Sequence, residues 1–210
     1  MESVITPKPK AGLFQPVPEI EAELQTTLPW LFHPAFIIGP NEGYDGRRFG
    51  SRAGPSECKS VKNVLHEVSH AIEMSLLPSR IWKRRVKQDM FDMRIRSSVV
   101  IGGERYYEPR TMQATERECR VGGIQLRLLE AGGYETEGFL REFVIVLRHM
   151  EDWCFGGTSP CNTYGREYSE DQKRWIQLRE DLVMSAYERF SLPDIQGRWD
   201  QVMTWLGKAH

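Results

Sequence analysis

His66-Glu67-Val68-Ser69-His70 is the stretch of this chain whose residue types and spacing bear most directly on chemistry. Side chains four residues apart stand one above the other on a helix. Two imidazoles at that spacing can converge on one metal ion. Glu67 is rotated by about 100° from the first of them. Its carboxylate then falls beside the ion rather than on it, where it can act as a general base toward a metal-bound water. Zinc suits this task, because it acidifies bound water near neutral pH and needs no redox chemistry. The bland alternative is an amphipathic helix with two solvated histidines. Against it, the chain has only five histidines and two fall at this spacing. The flanking Val64, Leu65, Val68, Ala71 and Ile72 are those of a buried helix.

Two histidines do not complete a catalytic zinc site, which normally has three protein ligands and one water. One zinc per chain therefore needs a third ligand from elsewhere. Glu73 lies on the same helix, and a continuous helix does not wrap round an ion. His149 comes late in a later helix, beside Glu151 and Asp152. The remaining candidates are Glu116 and Glu118, two residues apart and so on different faces of one later helix.

Here the chain resembles the glutamate zincins, in which H-E-x-x-H on one helix is completed by a glutamate on a second. It is most similar to the small ImmA/IrrE-like peptidases and the ArdC-like antirestriction proteins. Their second helix carries E-x-x-A-x-x-(F/G)-A. Glu116, Cys119, Gly122 and Gly123 fall at those positions, so the resemblance implies Glu116 as the third ligand, with Glu118 as the rival. It also implies that Cys119 and the glycines let the two metal helices approach closely. The family often has Asn, Asp or Glu four residues after the ligand glutamate, where it orients a histidine; this chain has Arg120. The resemblance spans roughly Val61 to Leu129. It implies a zinc metallopeptidase acting on a specific intracellular protein, with Glu67 activating the water. The alternative is a zincin-fold protein that binds or regulates without cleaving, as in antirestriction, or a phage accessory or structural role.

The elements that must hold these residues are mostly helices. The spacing predicts a short helix over Glu19 to Thr27 and a strand over Pro34 to Ile38. A long helix follows from an N-cap at Ser56 to Leu76, with Val61, Val64, Leu65, Val68, Ala71, Ile72 and Leu76 on its apolar face. Ser98 to Ile101 and Arg105 to Tyr107 read as a hairpin across Gly102-Gly103. Tyr106 and Tyr107 read first as packing residues, and as oxyanion donors if they reach the site. Further helices are expected over Thr111 to Glu130, Thr136 to Trp153, Ser169 to Phe190 and Asp194 to Leu206. Two adjacent glycines inside the second long helix cost about 1 kcal/mol each relative to alanine. The fold class is mainly helical α+β, a minimal zincin core with a small sheet. In domains, residues 1–18 form a proline-containing arm, 19–155 the zincin-like core and 156–210 a helical extension packed on it.

Composition sets limits on the rest. A net charge of −1, with 40% hydrophobic and 27% charged residues, suits a globular protein and gives no field that would recruit nucleic acid. The basic stretch Arg80 to Arg96 reads as a solvated face over an apolar stripe rather than a nucleic-acid site. No apolar run approaches the ~20 residues of a membrane helix, and the first residues lack a signal-peptide core, so a cytoplasmic protein without a membrane partner is expected. If the source is a virus, the host cytoplasm or the virion is the compartment. Cys58, Cys119, Cys154 and Cys161 form no C-x-x-C pair and read as reduced thiols. Trp153, Trp175, Trp199 and Trp205 read as packing residues of the C-terminal helices. The partners expected are a protein or peptide substrate and a neighbour that captures the N-terminal arm.

Overall fold

The computed structural model describes residues 17–33, 37–39, 43–44, 48–50, 60–76, 98–101, 104–107, 109–154 and 170–208. Among them run six α-helices: α1 (Val17–Thr27), α2 (Val61–Met74), α3 (Pro109–Ala131), α4 (Phe139–Cys154), α5 (Glu170–Arg189) and α6 (Leu192–Lys208). A single 3-10 turn, Pro29–Leu31, follows α1. The chain is thus mainly helical, as its periodicity predicts. Extended segments of two to four residues also pair: Ile37–Gly39 parallel to Arg48–Gly50, Gly43–Tyr44 antiparallel to the same segment, and Ser98–Ile101 antiparallel to Glu104–Tyr107. The last pairing falls where the Gly102-Gly103 signal puts it. The small sheet of a zincin core is not supported by these short segments. The arm before Pro16, the basic stretch Arg80 to Arg96, Ser56, Cys58 and Cys161 lie outside the described residues.

Helix α2 starts later than its sequence suggests. Its cap is Ser60, whose hydroxyl accepts a hydrogen bond from the Asn63 amide at 3.1 Å, satisfying one orphan donor of the first turn. Beyond it, Val61, Val64, Leu65, Val68, Ala71 and Ile72 are each at most 1% exposed, which confirms the apolar face. Fully burying a side chain of the Val, Leu or Ile kind stabilises by about 1.5–3 kcal/mol. Helix α3 stops where Gly133 takes a left-handed φ of 74°, and the Tyr134 amide returns to the Leu129 carbonyl at 2.9 Å. Helix α6 begins two residues before the sequence expectation. Ser191 and Asp194 cap one another there, hydroxyl to carboxylate and amide to hydroxyl, and Pro193 suits the first turn.

Among the described residues one buried cluster joins the helices: Ile20 and Leu24 of α1, the apolar face of α2, Ile124 and Leu128 of α3, and Ile195, Trp199 and Val202 of α6. Trp199 is fully buried, and its indole donates to the Leu31 carbonyl at 2.9 Å, tying α6 to the turn after α1.

The paired glycines of α3 explain their own cost. A Cβ at Gly123 would stand 2.6 Å from the Val183 carbonyl oxygen and the Tyr187 amide of α5. At Gly122 it would stand 2.6 Å from the Phe143 ring of α4. The bare backbone therefore admits α5 and Phe143. This corrects the expectation that these positions serve the approach of the two histidine- and glutamate-bearing helices. Cys119 is buried as expected but packs with Leu147 and Val183, on the α4 and α5 side. Arg127 fastens the same interface, with its guanidinium 3.6 Å from the Tyr187 ring and donating to the Tyr187 carbonyl at 3.1 Å. No helix among the described residues is long and apolar enough to cross a membrane.

Candidate metal centre

Helices α2 and α3 lie antiparallel. Moving up α2 from Lys62 to Glu73, the partners move down α3 from Gln125 to Arg117. Positions 66, 70 and 73 of α2 form one stripe, opposite the apolar face. Glu118 and Gln125 of α3 meet it, seven residues apart on one side of that helix.

Three side chains converge there. His66 Nε2 and His70 Nε2 stand 3.1 Å apart, with the rings perpendicular. Glu118 Oε2 lies 3.8 Å from the first nitrogen and 3.5 Å from the second. A circle through three atoms at these separations has a radius of about 2.0 Å, the bond length of a small divalent cation to nitrogen or oxygen. The three donors could thus hold one metal ion, and they are the one such group among the described residues. Their protonation suits the same task. Burial, with the neighbouring His70, lowers the pKa of His66 to about 4. Burial, with the Arg117 charge, lowers that of His70 to about 3. Both imidazoles are therefore neutral near pH 7 and offer lone pairs. Burial pushes the Glu118 carboxyl above its ordinary range, although His66 and Arg117 pull it back. A cation would reverse that shift by compensating the carboxylate charge.

The carboxylate that joins the two imidazoles is Glu118, not Glu116. Glu116 is exposed on the far side of α3, whereas Glu118 is buried at 5% exposure. Two residues on a helix are separated by about 200°, so only one of the pair can face α2. Glu67 is buried on α2, but it is not on the wall of the cavity beside the cluster. His149 falls within α4, and its side chain lies outside the described residues.

Arg120 has a role that motif matching does not anticipate. Together with Arg117 it holds Glu73, which is 3% exposed. Arg117 Nε donates to one carboxylate oxygen at 2.8 Å, and Arg120 Nε and Nη2 donate to the other at 3.0 and 2.8 Å. This second polar cluster sits one turn beyond His70 and closes the α2–α3 seam.

Gln125 is the site residue that the sequence reading missed. It is 2% exposed, with its carbonyl oxygen 3.1 Å from His66 Nδ1 and its amide nitrogen donating to the Lys62 carbonyl at 2.7 Å. Its position seven residues after Glu118, two turns along the same face, is a signal that would have found it.

A cavity of about 210 Å³ opens beside the cluster. His66, Glu118 and Gln125 line one side of it, and Phe139, Phe143 and Val146 of α4 another. Lys62 and Glu142 form an ion pair between α2 and α4, and the Lys62 ammonium lies 5.2 Å above the Phe139 ring. The arrangement is a buried His-His-carboxylate set beside a largely apolar cavity. It can hold a cation and leave one side of it open to a small group. No protein-family model, no curated protein and no solved structure matches this chain.

Proposed function

We propose that this protein is a zinc-dependent hydrolase that cleaves a peptide bond in a specific protein, with His66, His70 and Glu118 as the metal ligands and Glu67 as the general base. The observation that carries the reading is the convergence of two neutral imidazole nitrogens and one carboxylate oxygen on a common centre. Two imidazoles and a carboxylate favour zinc over magnesium or calcium, which prefer oxygen donors throughout. A zinc ion held there would supply Lewis acidity, polarising a carbonyl and acidifying water. The chain's own residues would do the rest. Glu118 would compensate the charge, the apolar walls around Phe139 and Phe143 would exclude bulk water, and Glu67 would accept the proton. A glutamate-zincin relationship remains part of this proposal and rests on the H-E-x-x-H helix and a glutamate on a second helix.

A second reading is a metal-holding protein that cleaves nothing and acts by binding. It is favoured by one observation: among the described residues, Glu67 does not line the cavity that His66 and Glu118 border. Glu67→Gln separates the two. The hydrolase reading expects the variant to keep about one zinc per chain and its fold, while cleavage falls roughly a hundredfold or more. Mass spectrometry of a cell lysate incubated with wild type and variant makes the comparison. Identical peptides from both, unchanged by chelation, would leave the binding reading in place.

A further inference from the structure

The structure assigns Gln125 as a positioning residue that fixes which nitrogen of His66 carries the proton. Hydrogen-bond polarity decides it. A peptide carbonyl only accepts, so the group facing the Lys62 carbonyl at 2.7 Å must be the Gln125 amide nitrogen. That orients the whole amide and leaves Gln125 Oε1 facing His66 Nδ1 at 3.1 Å. This oxygen also only accepts, so Nδ1 must carry the hydrogen. In a neutral imidazole the other nitrogen is then bare. That nitrogen is His66 Nε2, the atom turned toward Glu118 and His70.

The chain of constraint starts on a backbone carbonyl of α2 and returns to a side chain of α2 one turn later, by way of α3. It is held in a dry place: Gln125 is 2% exposed, so water competes little for either bond. His70 has no such tether, since its Nδ1 is buried without a hydrogen-bond partner. The two imidazoles are therefore unequal. His66 is preset to present Nε2, and His70, whose Nε2 lies 3.1 Å from that bare nitrogen, can donate its hydrogen there until a cation displaces it. Gln125 does for His66 what outer carboxylates and carbonyls do for metal-bound histidines generally. The role as an aid to metal binding rests on the metal reading above; the tautomer assignment does not.

The test uses the full chain and two readouts. In metal-free protein, nitrogen-15 NMR of the imidazoles should show His66 as the Nδ1–H tautomer. In Gln125→Leu it should become a mixture with Nε2–H. Gln125→Glu keeps an acceptor opposite Nδ1 and should retain the wild-type tautomer. Zinc affinity, measured by chelator competition, should fall about tenfold to a hundredfold in Gln125→Leu and stay closer to wild type in Gln125→Glu. Wild-type protein showing His66 as Nε2–H would overturn the assignment. So would a folded Gln125→Leu variant that keeps both the tautomer and the affinity within about twofold. If Gln125→Leu does not fold, the wild-type spectrum and Gln125→Glu decide by themselves. Failure of the metal reading would show separately, as wild-type protein with the Nδ1–H tautomer and no affinity for zinc.

Discussion

Two polar clusters lie buried along the same seam between α2 and α3, about one helical turn apart, and they are built to opposite rules. At Glu73 donors meet an acceptor: one carboxylate receives three hydrogen bonds from Arg117 and Arg120, although Arg117 Nη2 is left buried without a partner. At His66, His70 and Glu118 donors are scarce. Two neutral rings share one hydrogen bond at 3.1 Å, and the Glu118 carboxylate stands 3.5 and 3.8 Å from their nitrogens, with no cationic side chain among the three. Buried polar groups normally find complementary partners. A cluster this poor in donors has room for a cation. The contrast teaches how to separate a structural polar cluster from a candidate site on one interface: by complementarity, not by burial.

Breaking the comparison begins with the donor-poor cluster. His70→Ala or Glu118→Ala is expected to reduce zinc affinity by well over the hundredfold ceiling typical of residues that only orient ligands. Competition against a chelator of known affinity measures it, and a loss under tenfold would mean that the three atoms do not share an ion. At the Glu73 cluster the loss should appear in stability instead. Glu73→Ala leaves Arg117 and Arg120 buried in part and unpaired, at a cost of about 3 kcal/mol. Urea denaturation should show it, while zinc per folded chain stays near wild type.

Acid should separate the clusters more gently. Both histidines have folded pKa values depressed below 6.5, to about 4 and about 3. Between pH 6.5 and those values the unfolded chain binds protons that the folded chain refuses. Their contribution is therefore fully present above pH 6.5 and is lost as pH falls through the window. Glu118 is shifted upward from 4.5 and pulls the other way as pH rises, so the net slope is shallower than two histidines alone would give. Denaturation midpoints of metal-free protein from pH 7 to 4 should fall, and His66→Gln should flatten the curve. The smallest effect belongs to Glu116→Ala. On an exposed face it should change stability by no more than about 0.5 kcal/mol and leave metal affinity alone.

How much of this was legible beforehand depends on which helix is considered. On α2 the sequence is enough, because apolar residues at helical spacing fix the buried face and leave His66 and His70 together on the other. On α3 the helix was clear and its rotation was not. Matching Glu116 to a family pattern ignored the company it keeps. Arg120, Arg127 and Glu130 lie on its side of the helix, charged and only partly covered, with Arg120 reaching back to Glu73 and Arg127 to Tyr187. Glu118 shares a stripe with Gly122, Gln125 and Leu129, which is the face a neighbour covers. The glycines misled for a related reason. Small residues announce a close approach without naming the element that approaches, and here the nearest atoms belong to α5 and Phe143. Arg120 could not be placed from sequence at all, since its partner Glu73 lies 47 residues away.

The bond from Trp199 to Leu31 spans 168 residues, and this has a consequence in time. A ribosome adds about 5–20 residues per second, so about 8–30 s separate the synthesis of its two ends. During that interval the apolar back of α2 lacks the cover of α6, which joins the same buried cluster. The helix that carries both histidines is then not yet seated against its final neighbours. Metal loading is accordingly expected to follow the emergence of α6 rather than to accompany translation. Ribosome-arrested chains ending before Leu192 should fail to retain zinc, and chains extending past Lys208 should hold it.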